Sequence, residues 1–111
     1  MPNESTPMIS THLTTSETIE TLLQRRSIRK YNDEPVTDEQ VDAILRAAFR
    51  APTSSNIQSY SVITVRDPET KQKLSVPTGN QKHIIDCPIF LAFCADLTRL
   101  EHVLQERGHT L

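Results

Sequence analysis

RRSIRKYNDEPVTDEQ, residues 25–40, gathers four basic side chains around Ser27 and then runs into acids. Three readings compete for such a cluster: a basic helix end, a nucleic-acid patch, or a seat for a small anion. The 111-residue chain carries a net charge of only −2, so a general affinity for nucleic acid or an acidic membrane is not expected. The positive charge is local, which favours a specific small anion.

Upstream, residues 14–26 read TTSETIETLLQRR. Thr14 and Glu17 have capping-box spacing, and Ile19, Leu22 and Leu23 fall on one helical face. This predicts a first helix with Arg25 and Arg26 in its last turn, where cations suit the negative end of the dipole. Arg29 and Lys30 lie beyond that helix and stay unexplained. Downstream, Thr37 and Gln40 form a second capping box, with Val36 and Val41 spaced as a hydrophobic staple. Val41, Ile44, Leu45, Ala48 and Phe49 continue one apolar stripe, which Pro52 ends.

Residues 52–59 are turn-like, and Tyr60 to Val65 read as a strand rich in β-branched residues. Asp67 and Pro68 suit the start of a short helix to about Leu74. TGNQKHIID, residues 78–86, is a loop entering another short helix. PIFLAFCA, residues 88–95, is nearly all apolar and suits a central strand covered on both faces. Asp96 is placed to cap a last helix whose Leu97, Leu100 and Leu104 share a face, with Gly108 at its end. The class is α+β, without repeats or an interdomain linker. Two strands make a poor sheet, so residues 14–111 are expected to be part of a larger domain.

Composition sets further bounds. Hydrophobic residues make up 36%, with no Trp, two Tyr and three Phe, enough for a thin core. Cys87 and Cys94 are expected to be reduced and largely buried. Residues 1–13 have two prolines and many hydroxyls and read as a flexible arm, not a signal peptide. No apolar stretch approaches the roughly 20 residues of a membrane span, and the cytoplasm is the expected location. Two glycines exclude P-loop and Rossmann patterns. His12, His83, His102 and His109 show no paired ligand spacing, so no metal is expected. No nucleophile triad is legible, and no catalytic side chain is assigned.

Three polar stretches resist a purely structural reading: Arg25-Arg26-Ser27-Ile28-Arg29, Thr53-Ser54-Ser55-Asn56-Ile57-Gln58, and Gly79-Asn80-Gln81-Lys82. Guanidinium and hydroxyl donors together suit a phosphate, and uncharged amides suit the carbonyl and imide edge of a planar heterocycle. Each stretch alone also reads as an ordinary loop. RRS matches what basophilic kinases modify, but so short a match arises often by chance. Single-strand nucleic-acid binding would want aromatics among the charges, and only Tyr31 is present.

The order of these stretches is more telling than any one of them. RRSIR, then a capped helix ending in APTSSNIQ, a strand, GNQ, and finally FLAFCADLTR resembles the N-terminal half of the nitroreductase family. The branch it resembles most holds the NADPH-dependent flavin reductases and oxygen-insensitive nitroreductases, and the resemblance covers about residues 15–108. It implies a nitroreductase-like fold, a central mixed sheet flanked by helices, here only its N-terminal portion. It also implies a homodimer binding FMN at the subunit interface, with NADPH or NADH as donor. Hydride transfer then serves nitroaromatics, quinones or free flavin in a ping-pong cycle. By the same resemblance Arg26 and Ser27, with Arg25 alongside, would meet the FMN phosphate, and Arg29 the pyrimidine edge of the ring. Ser54, Ser55 and Gln58 would pass over the flavin, and Asn80 and Gln81 would bond its polar edge. The family's chains are about twice this length, so a non-catalytic remnant or interaction module is the alternative.

Overall fold

The structure, a computed structural model, describes residues 15–111. The arm expected over residues 1–13, and Thr14 of the expected first cap, lie outside the described residues. The elements are α1 (Glu17–Gln24), α2 (Asp38–Ala48), β1 (Tyr60–Val65), α3 (Pro68–Ser75), α4 (Lys82–Asp86), β2 (Phe90–Ala95) and α5 (Thr98–Glu106), with a 3-10 turn at Ser54–Asn56. The expected order of helices and strands is observed.

Local chemistry explains most boundaries. At α2 the Thr37 hydroxyl accepts from the Gln40 N–H at 3.2 Å while the Gln40 side chain accepts from the Thr37 N–H at 2.9 Å, a complete capping box. At α3 the Asp67 carboxylate accepts from the Thr70 hydroxyl and N–H, with Pro68 at the first helical position. Those bonds, the hydroxyl's first, hold the Asp67 carboxyl below the usual carboxylate range. α5 ends in a Schellman motif: the Gly108 N–H reaches Gln105 O at 3.0 Å and the His109 N–H reaches Leu104 O at 2.8 Å. Gly108 makes this turn at φ +75°.

β1 and β2 pair antiparallel in register from Tyr60↔Ala95 to Val65↔Phe90, and α3 and α4 fill the connection between them. The core sits around this connection. Val65, Ile84, Cys87 and Ser75 are buried there in sequence, and Val41 of α2 is buried as well. Lys71 is only 7% exposed, and its ammonium donates to the Cys87 carbonyl at 2.5 Å. That bond ties α3 to the segment that turns into β2. Just past the end of β1, Arg66 donates to the Val36 carbonyl at 2.8 Å and to the Asp38 carboxylate at 3.0 Å, holding the start of α2 against the strand. No helix among the described residues is long and apolar enough to cross a membrane.

Several expectations need correction. Ser16, not Thr14, caps α1: its hydroxyl accepts from the Ile19 N–H at 3.2 Å. This puts Glu17 at the first helical position, too early to close a capping box. Helix α1 stops at Gln24, and Arg25 is already extended at φ −60°, ψ 135°. Arg25 and Arg26 therefore follow the last turn of α1, with Arg25 at the cap position, instead of lying within it. Asp96 sits one residue before the cap position of α5, which is Leu97, although its carboxylate accepts from the Thr98 N–H at 2.9 Å. The stretch 88–95 starts its strand only at Phe90. β2 pairs with β1 alone among the described residues, and Phe93 is 58% exposed. Cys87 is buried as expected, but Cys94 is half-buried; both are free thiols.

Since a Cβ at Gly108 would meet nothing within 4 Å, Gly108→Ala tests backbone conformation without steric clash. It is expected to cost about 1 kcal/mol, the penalty of a left-handed L-residue, read from the urea midpoint. An unchanged midpoint would mean that the end of α5 adds nothing to stability.

Candidate functional site

The three polar stretches take three backbone forms. Residues 25–32 run without helix or strand, and Arg25, Arg26, Ser27 and Arg29 are all exposed. Among the described residues the ion pairs of the other arginines and lysines lie elsewhere: Arg46 with Asp42, Lys73 with Glu69 and Lys82 with Asp86, each one helical turn apart, and Arg66 with Asp38 between the end of β1 and the start of α2. None engages the cluster around Ser27. Arg25 and Arg26 line an open hollow with Leu23 and Gln24, of about 570 Å³.

The second stretch is strained. Ser55, Asn56 and Gln58 have φ of +51°, +54° and +54°. For residues with a Cβ this region costs on the order of 1 kcal/mol or more each, least for Asn. Several bonds hold the turn. The Asn56 N–H reaches Thr53 O at 3.0 Å and the Gln58 N–H reaches the Thr53 hydroxyl at 3.1 Å. The Gln58 side-chain amide also donates to the Asn56 side-chain oxygen at 2.9 Å. Ser54 and Ser55 point no hydroxyl at a partner among the described residues, and both are exposed.

In the third stretch Asn80 is again left-handed, at φ +56° after Gly79 at +94°. The Asn80 N–H donates to Ser75 O at 2.7 Å, closing α3, and Gln81 is the residue before α4, its side-chain amide donating to Thr78 O at 3.0 Å. These two polar loops contain all four left-handed non-glycine residues of the described chain.

Gln58 lines a cleft of about 350 Å³ with Phe49, Tyr60, Ser61, Val62 and Arg99. The rings of Phe49 and Tyr60 lie 5.9 Å apart there, tilted by 39°. The cleft does not include Arg25, Arg26 or Arg29, so the basic cluster and the Gln58 turn open into separate hollows of this chain. Two side-chain roles escaped the sequence reading. The Arg99 guanidinium donates through Nη2 to both Gln58 O at 2.7 Å and Tyr60 O at 2.6 Å. The half-buried Asp96 carboxylate accepts a short bond from the Ser61 hydroxyl, and its N–H donates to Ser59 O at 2.9 Å. The only sequence signal was the spacing of Asp96 and Arg99, three apart at the opening of a helix.

This arrangement has close parallels. Residues 22–108 match the description of the nitroreductase family. The chain belongs to the nitroreductase family. It is 45% identical over 93 residues to the FMN reductase (NADPH) of Bacillus subtilis, a match spanning 84% of this chain and 37% of that protein. It is likewise 45% identical over 84 residues to the oxygen-insensitive NADPH nitroreductase of Salmonella typhimurium, spanning 76% of this chain and 35% of that one. Among solved structures, that of B. megaterium NfrA2 superposes with a TM-score of 0.84 at 42% identity, over 87% of this chain and 39% of the other. The chain thus spans little more than a third of the length of these relatives, and the nitroreductase-like fold is that of the region they share.

Cys87 is no candidate nucleophile within this family fold. Burial pushes its thiol up, against the opposing charge of Lys71, and the thiol donates to Ile84 O at 3.0 Å. Asp96 is shifted the other way. The Ser61 hydroxyl, followed by the Thr98 N–H, lowers its pKa to about 2 from 3.8. The unfolded chain therefore takes up this proton first as pH falls. The contribution of Asp96 to stability is complete above about pH 4 and is lost as pH drops towards 2. Asp96→Asn should flatten this part of the acid-unfolding profile. A variant whose profile between pH 4 and 2 overlays the parent's would show that the Ser61–Asp96 bond carries no pH dependence.

Proposed function

We propose that this chain carries the FMN-binding part of an NAD(P)H-dependent oxidoreductase, a flavin reductase or nitroreductase. The observation that carries the reading is the backbone at Ser55, Gln58 and Asn80. These three residues, expected at a flavin from the sequence, are three of the four left-handed non-glycine residues described. Strain of this kind clusters at ligand sites, where the surrounding structure enforces it. The donor set also fits the group: exposed guanidiniums and a hydroxyl for a phosphate, amides and hydroxyls for a heterocycle.

In this reading Arg26 and Ser27, with Arg25 alongside, hold the phosphate. Arg29 lies at the pyrimidine edge of the ring, where a fixed cation stabilises negative charge that develops on reduction. Ser54, Ser55 and Gln58 orient the ring from one side, and Asn80 and Gln81 donate to its polar edge. Bound FMN supplies the redox chemistry, taking a hydride from NADPH or NADH and passing electrons to a nitroaromatic, quinone or free flavin. The chain's own residues bind, orient and exclude water, and no protein nucleophile is required. The reading includes a homodimer with FMN at the subunit interface, which suits the separate hollows seen in one chain. It also takes residues 14–111 as the N-terminal part of a nitroreductase domain, an assignment supported by the unpaired edge of β2. The free thiols suit the cytoplasm.

A second reading, a non-catalytic piece that pairs with a related chain, draws on exposed apolar side chains such as Leu23, which is 80% exposed. NADPH oxidation on adding FMN separates the two: the enzyme shows it and the pairing module does not.

FMN titration followed by flavin fluorescence tests the site itself. The parent is expected to bind saturably, and Arg29→Ala to weaken binding about tenfold, or ~1.4 kcal/mol, within the range for a hydrogen bond to a charged group. A folded sample with no saturable binding would sink the flavin reading.

A further inference from the structure

Arg99 is exposed and is the second residue of α5. A cation there opposes the positive end of the helix dipole, so helix stability does not explain the position. Its partners do. One nitrogen of the guanidinium donates to two carbonyls, Gln58 O and Tyr60 O, across 41 and 39 residues of sequence. Between those carbonyls the Tyr60 N–H folds back onto Gln58 O at 2.9 Å, and the Asp96 N–H takes Ser59 O at 2.9 Å. The junction of β2 and α5 therefore grips every residue from Gln58 to Ser61. Gln58 is the last left-handed residue of the turn, and its conformation has no glycine or asparagine preference to favour it. The charge-assisted bond from Arg99 is the side-chain interaction that reaches its carbonyl from outside the turn.

We propose that Arg99 is a positioning residue: it sets the backbone of the Gln58 turn and, through that turn, the way Gln58 meets the cofactor. The inference rests on the flavin reading for its second half only. Arg99 itself lines the cleft beside Gln58, but its known bonds are spent on the backbone. Its effect on a ligand is transmitted.

The test is a double-mutant cycle in the full chain, using Arg99→Ala, Gln58→Ala, the pair, and Arg99→Lys, with amide hydrogen exchange read alongside FMN titration. In Arg99→Ala the Tyr60 amide is expected to exchange at least tenfold faster, while the Cys87 amide, bonded to His83 O at 3.0 Å, keeps its protection. FMN affinity should fall about tenfold, Arg99→Lys should recover part of it, and the double variant should bind no more weakly than the worse single one. Additive losses in the cycle would overturn the proposal, as would faster exchange with unchanged FMN affinity. A parent that binds no FMN overturns the flavin reading on its own. Faster exchange confined to the Gln58 turn then still upholds Arg99 as the residue that sets it, and unchanged exchange overturns that as well.

Discussion

The antiparallel ladder between β1 and β2 is the constraint on which the other features rest. Paired strands run about 4.8 Å apart, so the register Tyr60↔Ala95 fixes the start of β1 beside the end of β2. Ser59 and Ser61 then meet Asp96, and Arg99 one helical turn on meets Gln58 and Tyr60. A slip by one residue would turn each of these side chains to the opposite face of the sheet. The α3–α4 connection guards against such a slip, because Lys71 bonds the Cys87 carbonyl just before the chain enters β2. A buried ammonium that lost this partner would be costly, so the crossover has one favourable way of meeting the strand.

Strain and its compensation lie on opposite sides of that ladder. The Ser55–Gln58 turn adopts backbone conformations that its residue types disfavour, and its internal bonds are accepted by Thr53, Ser54 and Asn56. The arginine and aspartate at the head of α5 supply the rest. Arg66 plays a comparable part at the far end of β1, where it reaches the start of α2. β1 is thus tied at both ends by guanidinium groups to backbone carbonyls. Such bonds keep their geometry better than lysine contacts would, since the planar fork is pre-organised.

Features governed by neighbours in sequence were legible. The capping box of Thr37 and Gln40, Asp67 and Pro68 ahead of α3, the bounds of β1 and the stop at Gly108 each depend on residues within a few positions of one another. The three polar stretches were legible as a pattern because their order resembled a family, and family membership followed. The misses have physical causes. Ser16 and Thr14 offer nearly the same cap chemistry, and only the helix register chooses between them. An apolar run such as FLAFCA states that a strand wants cover, not whether the cover is present. Arg99 lay in a quoted motif, but its partners are some forty residues away, and only the strand pairing brings them into reach. Asp96 was read as a cap, which is half of what it does.

Exposure sets the terms on which the basic cluster can act. A guanidinium and a phosphate in open water attract weakly and are screened over about 8–10 Å of salt solution; the same pair gains several-fold when a covering surface lowers the local dielectric. Beside Arg25 and Arg26 the apolar side chains of Leu22 and Leu23 stand exposed, as do Ile28 and Tyr31 further along the segment. Apolar surface of this kind gains free energy when covered. Whatever covers it also excludes water from the arginines. In the flavin reading, anion affinity at Ser27 and burial of the α1 face are therefore one coupled equilibrium. The cluster is strong to the degree that its apolar neighbours are buried, and a bound anion in turn favours the covered state.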